Sequence, residues 1–163
     1  MPAVSYTAGT GFFCIYEVIT MKVTTLLLTF LLLTTAFNCS AEQYPFQKVV
    51  YHVNYHDESR INETLVNVSN HLEALGDDNI DIKVMVHGKA IEFLMEAVED
   101  DGKQIQLDAL RLRGVQFLVC GNTLNGYNIT YEDLYEVETE DVVQAGLPAI
   151  VDLQQKGYIY VRP

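Results

Sequence analysis

The stretch IDIKVMVHGKAIEFLMEAV, residues 80–98, joins two hydrophobic periodicities at a single glycine. Polar and apolar residues first alternate and then give way to the apolar run Val84–Val86, a pattern typical of a buried β-strand. After Gly88, apolar residues recur at intervals of three and four, as in an amphipathic helix. We therefore predict a strand over 80–87 and a helix over 88–98, the unit from which parallel α/β sheets are built.

The same alternation of strand and helix continues on both sides of this stretch. Upstream, the β-branched and aromatic run 47–54 predicts a strand, and the periodic segment 57–75 predicts a helix that Gly76 ends. Downstream, we predict helices over 104–113, 131–135 and 147–156, strands over 115–120, 141–143 and 158–162, and a turn over 121–126. The pattern predicts an α/β fold with a five-stranded, mostly parallel, doubly wound sheet and helices on both faces.

The N-terminal part of the chain resembles a targeting segment. From Met21 the sequence has one lysine, a Leu-rich stretch and a small-residue site ending at Ala41, the layout of a secretory signal peptide. We predict cleavage there and a periplasmic or secreted protein without a stable membrane anchor; an uncleaved anchor is the alternative. Residues 1–20 then look like a misassigned start or an extension, and 42–163 form a single domain.

The predicted domain is acidic and contains one cysteine. Residues 1–41 hold one lysine and one glutamate, so the formal net charge of −12 lies in the region after Ala41. Nucleic acids and anionic membranes require positive patches, so neither is an expected partner. Cys14 and Cys39 precede the cleavage point, which leaves Cys120 as the single thiol of the domain and excludes an intramolecular disulfide.

Candidate site residues follow from the strand ends. In open parallel sheets, ligands bind outside the carboxyl ends of the strands. The first predicted strand ends in Asn54, the second in His87-Gly88, and the third in Cys120-Gly121-Asn122. We expect these residues to share one edge of the sheet.

Cys120 is the sharpest candidate, and two interpretations are open. A thiol at a strand end lies among backbone N–H groups that favour the nucleophilic thiolate, and Gly121 would let a substrate approach closely. Free cysteine is also among the most buried residue types, so a thiol that only fills the core is the alternative.

His87 is the second candidate catalytic residue. It could stabilise a Cys120 thiolate if protonated, or donate a hydrogen bond from its ring; a helix-capping or core role is the alternative. A metal site of Cys120, His87 and His56 has no local ligand spacing to support it, so neither a metal nor an organic cofactor is expected. The sequence lacks a dinucleotide glycine fingerprint, a CxxC pair and a nucleophile elbow.

Four segments in order resemble the DsrE/DsrF-like family of sulfur-handling proteins. They are VVYHVN (49–54), VMVHGKAIEFL (84–94), GVQFLVCGNTL (114–124) and GLPAIVDLQQKGYIYVRP (146–163). The resemblance implies a flavodoxin-like fold and a homo-oligomer, trimer or hexamer. It also implies that Cys120 corresponds to the cysteine that carries a persulfide in sulfur-relay members, with His87 and Gly88 in a nearby His-Gly element. Those members work in the cytoplasm with partner subunits, whereas this chain is predicted to be exported.

Two functional hypotheses result. The first is a periplasmic protein that accepts sulfur on Cys120 from a donor and yields it to an acceptor thiol protein. The second is a non-catalytic oligomeric binding or assembly module with a structural cysteine. In that case tyrosines would supply partner contacts, since aromatics are favoured in interface cores; the candidates are Tyr127, Tyr131, Tyr135, Tyr158 and Tyr160.

Overall fold

A computed structural model describes residues 44–163 of the chain. The predictions on residues 1–41, namely the misassigned start and the signal peptide, lie outside the described residues. Within the described residues, no helix is both long and apolar enough to cross a membrane.

The sheet has five strands, and every neighbouring pair is parallel. The strands are β1 (Gln47–Val53), β2 (Ile80–Val86), β3 (Gln116–Cys120), β4 (Val142–Val143) and β5 (Ile159–Val161). Their order across the sheet is β4-β3-β2-β1-β5, so the connection from β4 to β5 passes from one edge to the other. This confirms the predicted five-stranded α/β fold. The sequence predicts a mostly parallel sheet, and in the structure all neighbouring strands of the sheet are parallel.

Five α-helices connect these strands. They are α1 (Glu58–Leu75), α2 (Ile91–Glu96), α3 (Asp101–Arg111), α4 (Gly121–Tyr127) and α5 (Gly146–Gln155). Short 3₁₀ turns lie at Asp77–Asn79, Gly88–Ala90, Tyr131–Asp133 and Thr139–Asp141. The helix predicted over 131–135 is thus only a 3₁₀ turn.

Two helix starts differ from the predicted ones for local reasons. Gly88 has φ +58°, in the left-handed region, so the segment after β2 begins as a 3₁₀ turn and α2 starts only at Ile91. Helix α3 begins three residues before the predicted Gln104. The carboxylate of Asp100 accepts hydrogen bonds from the amides of Gly102 and Lys103 and so caps an earlier first turn.

The predicted turn over 121–126 is wrong. Helix α4 follows β3 without a connecting loop and ends at Tyr127, and its C-cap Asn128 adopts the left-handed conformation with φ 55°. Gly121, Asn122 and Gly126 are poor helix formers, which is why the composition predicts a turn. Leu124 is buried in the core, and this packing outweighs the weak propensity.

Helices cover both faces of the sheet, as predicted. The face formed by Val49, Tyr51 and Val53 of β1 packs into a large core against helices α1 to α4. The opposite face, which we call the α5 face, holds the smaller core of Val50, Met85, Leu118, Ile150 and Tyr158. Helix α5 is the helix that supplies this smaller core, through Ile150.

Candidate functional site

The alternation of side chains along the strands puts the candidate residues on the α5 face. His52 of β1 lies beside Met85 of β2, and Met85 lies beside Leu118 of β3. Two residues further along, on the same face, the strands reach His87 and Cys120. The predicted catalytic pair therefore lies together at the carboxyl edge of the sheet, in the position where open α/β sheets bind ligands.

The first residue of α5 closes this edge over the cysteine. The amide of Gly146 donates a hydrogen bond to Cys120 Sγ at 3.2 Å. A Cβ atom at position 146 would lie 3.4 Å from the Cβ atoms of both Cys120 and His87. Glycine is therefore the residue that lets α5 begin directly over the pair without filling the space between them.

The surroundings of Cys120 favour its thiolate. Burial raises the pKa of Cys120. The Thr123 hydroxyl and the amides of Gly146, Thr123 and Asn122 together lower the pKa by more than burial raises it, so the pKa lies below its ordinary value of 9.0. The Thr123 oxygen also accepts the Gly88 amide at 3.0 Å, which leaves its O–H available to donate to Cys120. Cys120 is 6% exposed, so the residue whose thiolate is favoured is also largely covered.

A hydrogen-bonded chain of aromatic side chains runs away from His87 along the same face. His87 Nε2 lies 2.5 Å from His52 Nε2, and the two ring planes are only 18° apart, with centroids separated by 4.7 Å. His52 Nδ1 lies 2.7 Å from the Tyr160 hydroxyl of β5. His87 therefore directs Nε2 toward His52, and the chain spans β2, β1 and β5.

Burial disfavours the charged form of both imidazoles of this chain. Burial, His87 and Arg162 together lower the pKa of His52 to about 4. Burial, with a smaller contribution from Arg162, also lowers the pKa of His87. Stabilisation of the Cys120 thiolate by a protonated His87 is therefore disfavoured, and the donors identified above take that role.

The remaining predicted edge residues have structural partners. Asn54 accepts a hydrogen bond from Arg162 at 2.8 Å through its side-chain oxygen. A Cβ atom on Gly121 would lie 3.2 Å from the Val143 carbonyl oxygen, so Gly121 permits the close contact between α4 and β4. Gly88 and Asn122 contribute through their amides, to Thr123 and Cys120 respectively. Their role in a site stays a prediction.

His56 does not join the cysteine. Its Nδ1 pairs with Glu92 at 3.0 Å, and its side chain is 46% exposed. Residues 44–163 contain no group of three or more His, Cys, Asp or Glu side chains that could hold a metal ion. The metal site considered from Cys120, His87 and His56 therefore has no geometric basis.

Three residues of this arrangement are missed by the sequence reasoning: His52, Tyr160 and Gly146. From the sequence alone, His52 is predicted only to pack within its strand, and Tyr160 only to contact a partner. A period-two reading of β1 would have found His52, since Val50, His52 and Asn54 share a face. Tyr160 and Gly146 carry no comparable pattern, because their positions depend on which strands are neighbours.

The site so assembled is suited to nucleophilic chemistry at sulfur. It offers a thiol with a lowered pKa, amides that stabilise its anion, and adjacent groups able to exchange protons. Its largely covered thiol admits a small or flexible substrate more readily than a bulky one.

Comparisons with known proteins agree with the fold and the sequence pattern. The sequence model of the DsrE/DsrF-like family matches residues 47–163, most of the chain. A solved structure of a protein of unknown function from Methanobacterium thermoautotrophicum, MTH1491, is 32% identical with a TM-score of 0.63, covering 72% of this chain and 99% of that one. No curated protein matches the sequence. The family match, supported by this structural neighbour, shows that the chain belongs to the DsrE/DsrF-like family.

Proposed function

We propose that the protein carries sulfur as a persulfide on Cys120. The thiolate of Cys120 attacks a sulfane sulfur of a donor, holds it as Cys120–S–SH, and yields it to an acceptor thiol. The observation that carries the proposal is the set of donors around Sγ, led by the Thr123 hydroxyl and the Gly146 amide, which favour the nucleophilic form. Membership of a family that includes sulfur-relay proteins is consistent with it.

The same donors suit the product as well as the nucleophile. A persulfide is an anion at neutral pH, so N–H and O–H groups directed at the sulfur would stabilise it after transfer. The chemistry exchanges one S–S bond for another and needs no bound cofactor.

A second function is favoured by one observation, the burial of the thiol. Cys120 is 6% exposed, as expected of a cysteine that fills the core of a non-catalytic binding or assembly module. Exposed apolar side chains on α5, Leu147 and Val151, would then contribute to a contact surface. The tyrosines considered for such contacts are partly engaged within the chain, since Tyr158 donates to Asp81 and Tyr135 to Asp108.

Intact mass spectrometry after incubation with polysulfide separates the two functions. We expect the wild-type protein to gain one sulfur atom, removable by a reductant, and Cys120→Ser to gain none. Native alkylation of Cys120 by a small electrophile at pH 7 to 9 provides the control for access. A thiol that resists both reagents across this range would leave the module as the function.

A further inference from the structure

The buried histidine His52 takes no part in the attack of Cys120 on a sulfur donor. It is 5% exposed, and both of its ring nitrogens are engaged, one by His87 and one by Tyr160. A buried imidazole with both nitrogens in hydrogen bonds can accept a proton on one side while it releases one on the other. We propose that Tyr160, His52 and His87 form a proton relay that connects solvent with the sulfur chemistry at Cys120.

The geometry supports two proton arrangements of this chain. In the first, Tyr160 donates to His52 Nδ1, His52 Nε2 donates to His87 Nε2, and His87 carries its proton on Nδ1. In the second, His87 Nε2 donates to His52, His52 Nδ1 donates to the Tyr160 oxygen, and His87 Nδ1 is bare. Passing from the first to the second takes one proton from water at Tyr160 and releases one proton from His87 Nδ1.

No imidazolium ion is needed at any stage of this shift. Only N–H and O–H protons move, each along a hydrogen bond, and both histidines stay neutral. That suits their surroundings, because burial, and to a smaller extent the positive charge of Arg162, which pairs with Asn54 just after β5, disfavours the charged form of both rings.

A relay has a function here because the two ends of the chain differ in exposure. Cys120 is 6% exposed and lies under Gly146, whereas Tyr160 is 38% exposed. Protons that must enter or leave the covered sulfur site can pass through the side chains to Tyr160, the exposed residue of the chain.

The proposal rests on the proposed function, and its proton balance is closed for a persulfide donor R–S–SH. The Cys120 thiolate, which the donors around Sγ favour, is the nucleophile. The thiolate attacks the terminal sulfur of the donor, so that the Sγ–S bond forms and the S–S bond of the donor breaks. The departing R–S⁻ takes a proton from His87 Nδ1, and the relay replaces it with one from water at Tyr160, which yields Cys120–S–SH and R–SH without any external oxidant or reductant.

Single-turnover persulfide transfer to the wild type and to Tyr160→Phe tests the relay. Removing the hydroxyl leaves the ring in place beside His52, so we expect the transfer rate to fall about tenfold while alkylation of the preformed thiolate at pH 9 is unchanged. Tyr158→Phe is the matched control. It removes a hydroxyl on the same face that donates to Asp81 and is not part of the Tyr160–His52–His87 relay, so it should leave the transfer rate unaltered.

His52→Ala provides a second measurement. We expect slow transfer that added imidazole partly restores, since a small base can enter the vacated position. Tyr160→Phe decides the matter even if this buried substitution prevents folding.

The possible failures are distinguishable. A wild type that takes up no sulfur would overturn the proposed function and the relay together. A wild type that takes up sulfur at the same rate as Tyr160→Phe would overturn the relay alone. If Tyr160→Phe slows persulfide transfer and thiolate alkylation equally, the relay is also overturned, because Tyr160 would then act on the shape of the site.

Discussion

Thr123 illustrates how one hydroxyl at the site has two tasks. Its oxygen accepts the amide of Gly88, which has the left-handed φ of +58°, and its O–H contributes most among the groups that lower the pKa of Cys120. The residue thereby ties the turn after β2 to Cys120 at the end of β3.

Thr123→Val removes this hydroxyl at nearly constant shape. We expect the pKa of Cys120 to rise, and the free energy of unfolding to fall by about 1–2 kcal/mol because the Gly88 amide loses its acceptor. The measurements are the pH dependence of alkylation of Cys120 and urea denaturation. Thr123→Ser keeps the hydroxyl and should resemble the wild type; an unchanged alkylation profile in Thr123→Val would contradict the assignment.

At the scale of elements, helix α5 is important because no other helix within residues 44–163 packs on the smaller core. Ile150 lies in that core, whereas Val151, the next residue, is 52% exposed. The start of the same helix brings the Gly146 amide to Cys120, so the packing of Ile150 and the position of the donor depend on one rigid element.

Ile150→Ala should therefore destabilise the fold and the site together. We expect a loss of about 3 kcal/mol in the free energy of unfolding, as for a buried aliphatic side chain cut to alanine. Val151→Ala is the matched control on the same helix and should change stability by less than about 0.5 kcal/mol. Equal midpoints of the two variants in urea would show that α5 does not pack as described.

The stability of the whole molecule should depend on pH through the buried histidines. The pKa of His52 is lowered from 6.5 to about 4 on folding, and that of His87 is also lowered. Between pH 4 and pH 6.5, the unfolded chain binds a proton at His52 and the folded chain does not. The free energy of unfolding therefore falls as the pH drops from 6.5 toward 4.

Comparison of the wild type with His52→Gln isolates this effect from the carboxylates that both proteins share. Denaturation at pH 7 and at pH 4.5 should show a larger loss of stability on acidification in the wild type. The same loss in both proteins would mean that His52 does not enter the folded core in its neutral form.

Most of the fold, and the two central residues of the site, could be predicted from local patterns. The apolar runs of β1, β2 and β3 and the periodic residues of α1 appear at the expected positions. Helices α2 and α3 start at other residues than predicted, and helix α4 lies where a turn is predicted. These depend on the left-handed Gly88, the Asp100 cap and the burial of Leu124, which are tertiary or cap interactions that outweigh propensity.

The sequence by itself determined that strands alternate with helices and that His87 and Cys120 stand at the carboxyl ends of buried strands, because periodicity is a local property of the chain. Only the tertiary structure decided that β5 lies beside β1 and that α5 crosses the opposite face. Those two choices bring Tyr160 to His52 and Gly146 to Cys120. Residues 108 and 26 positions apart along the chain meet there because the order of strands, not their individual patterns, sets which side chains are neighbours.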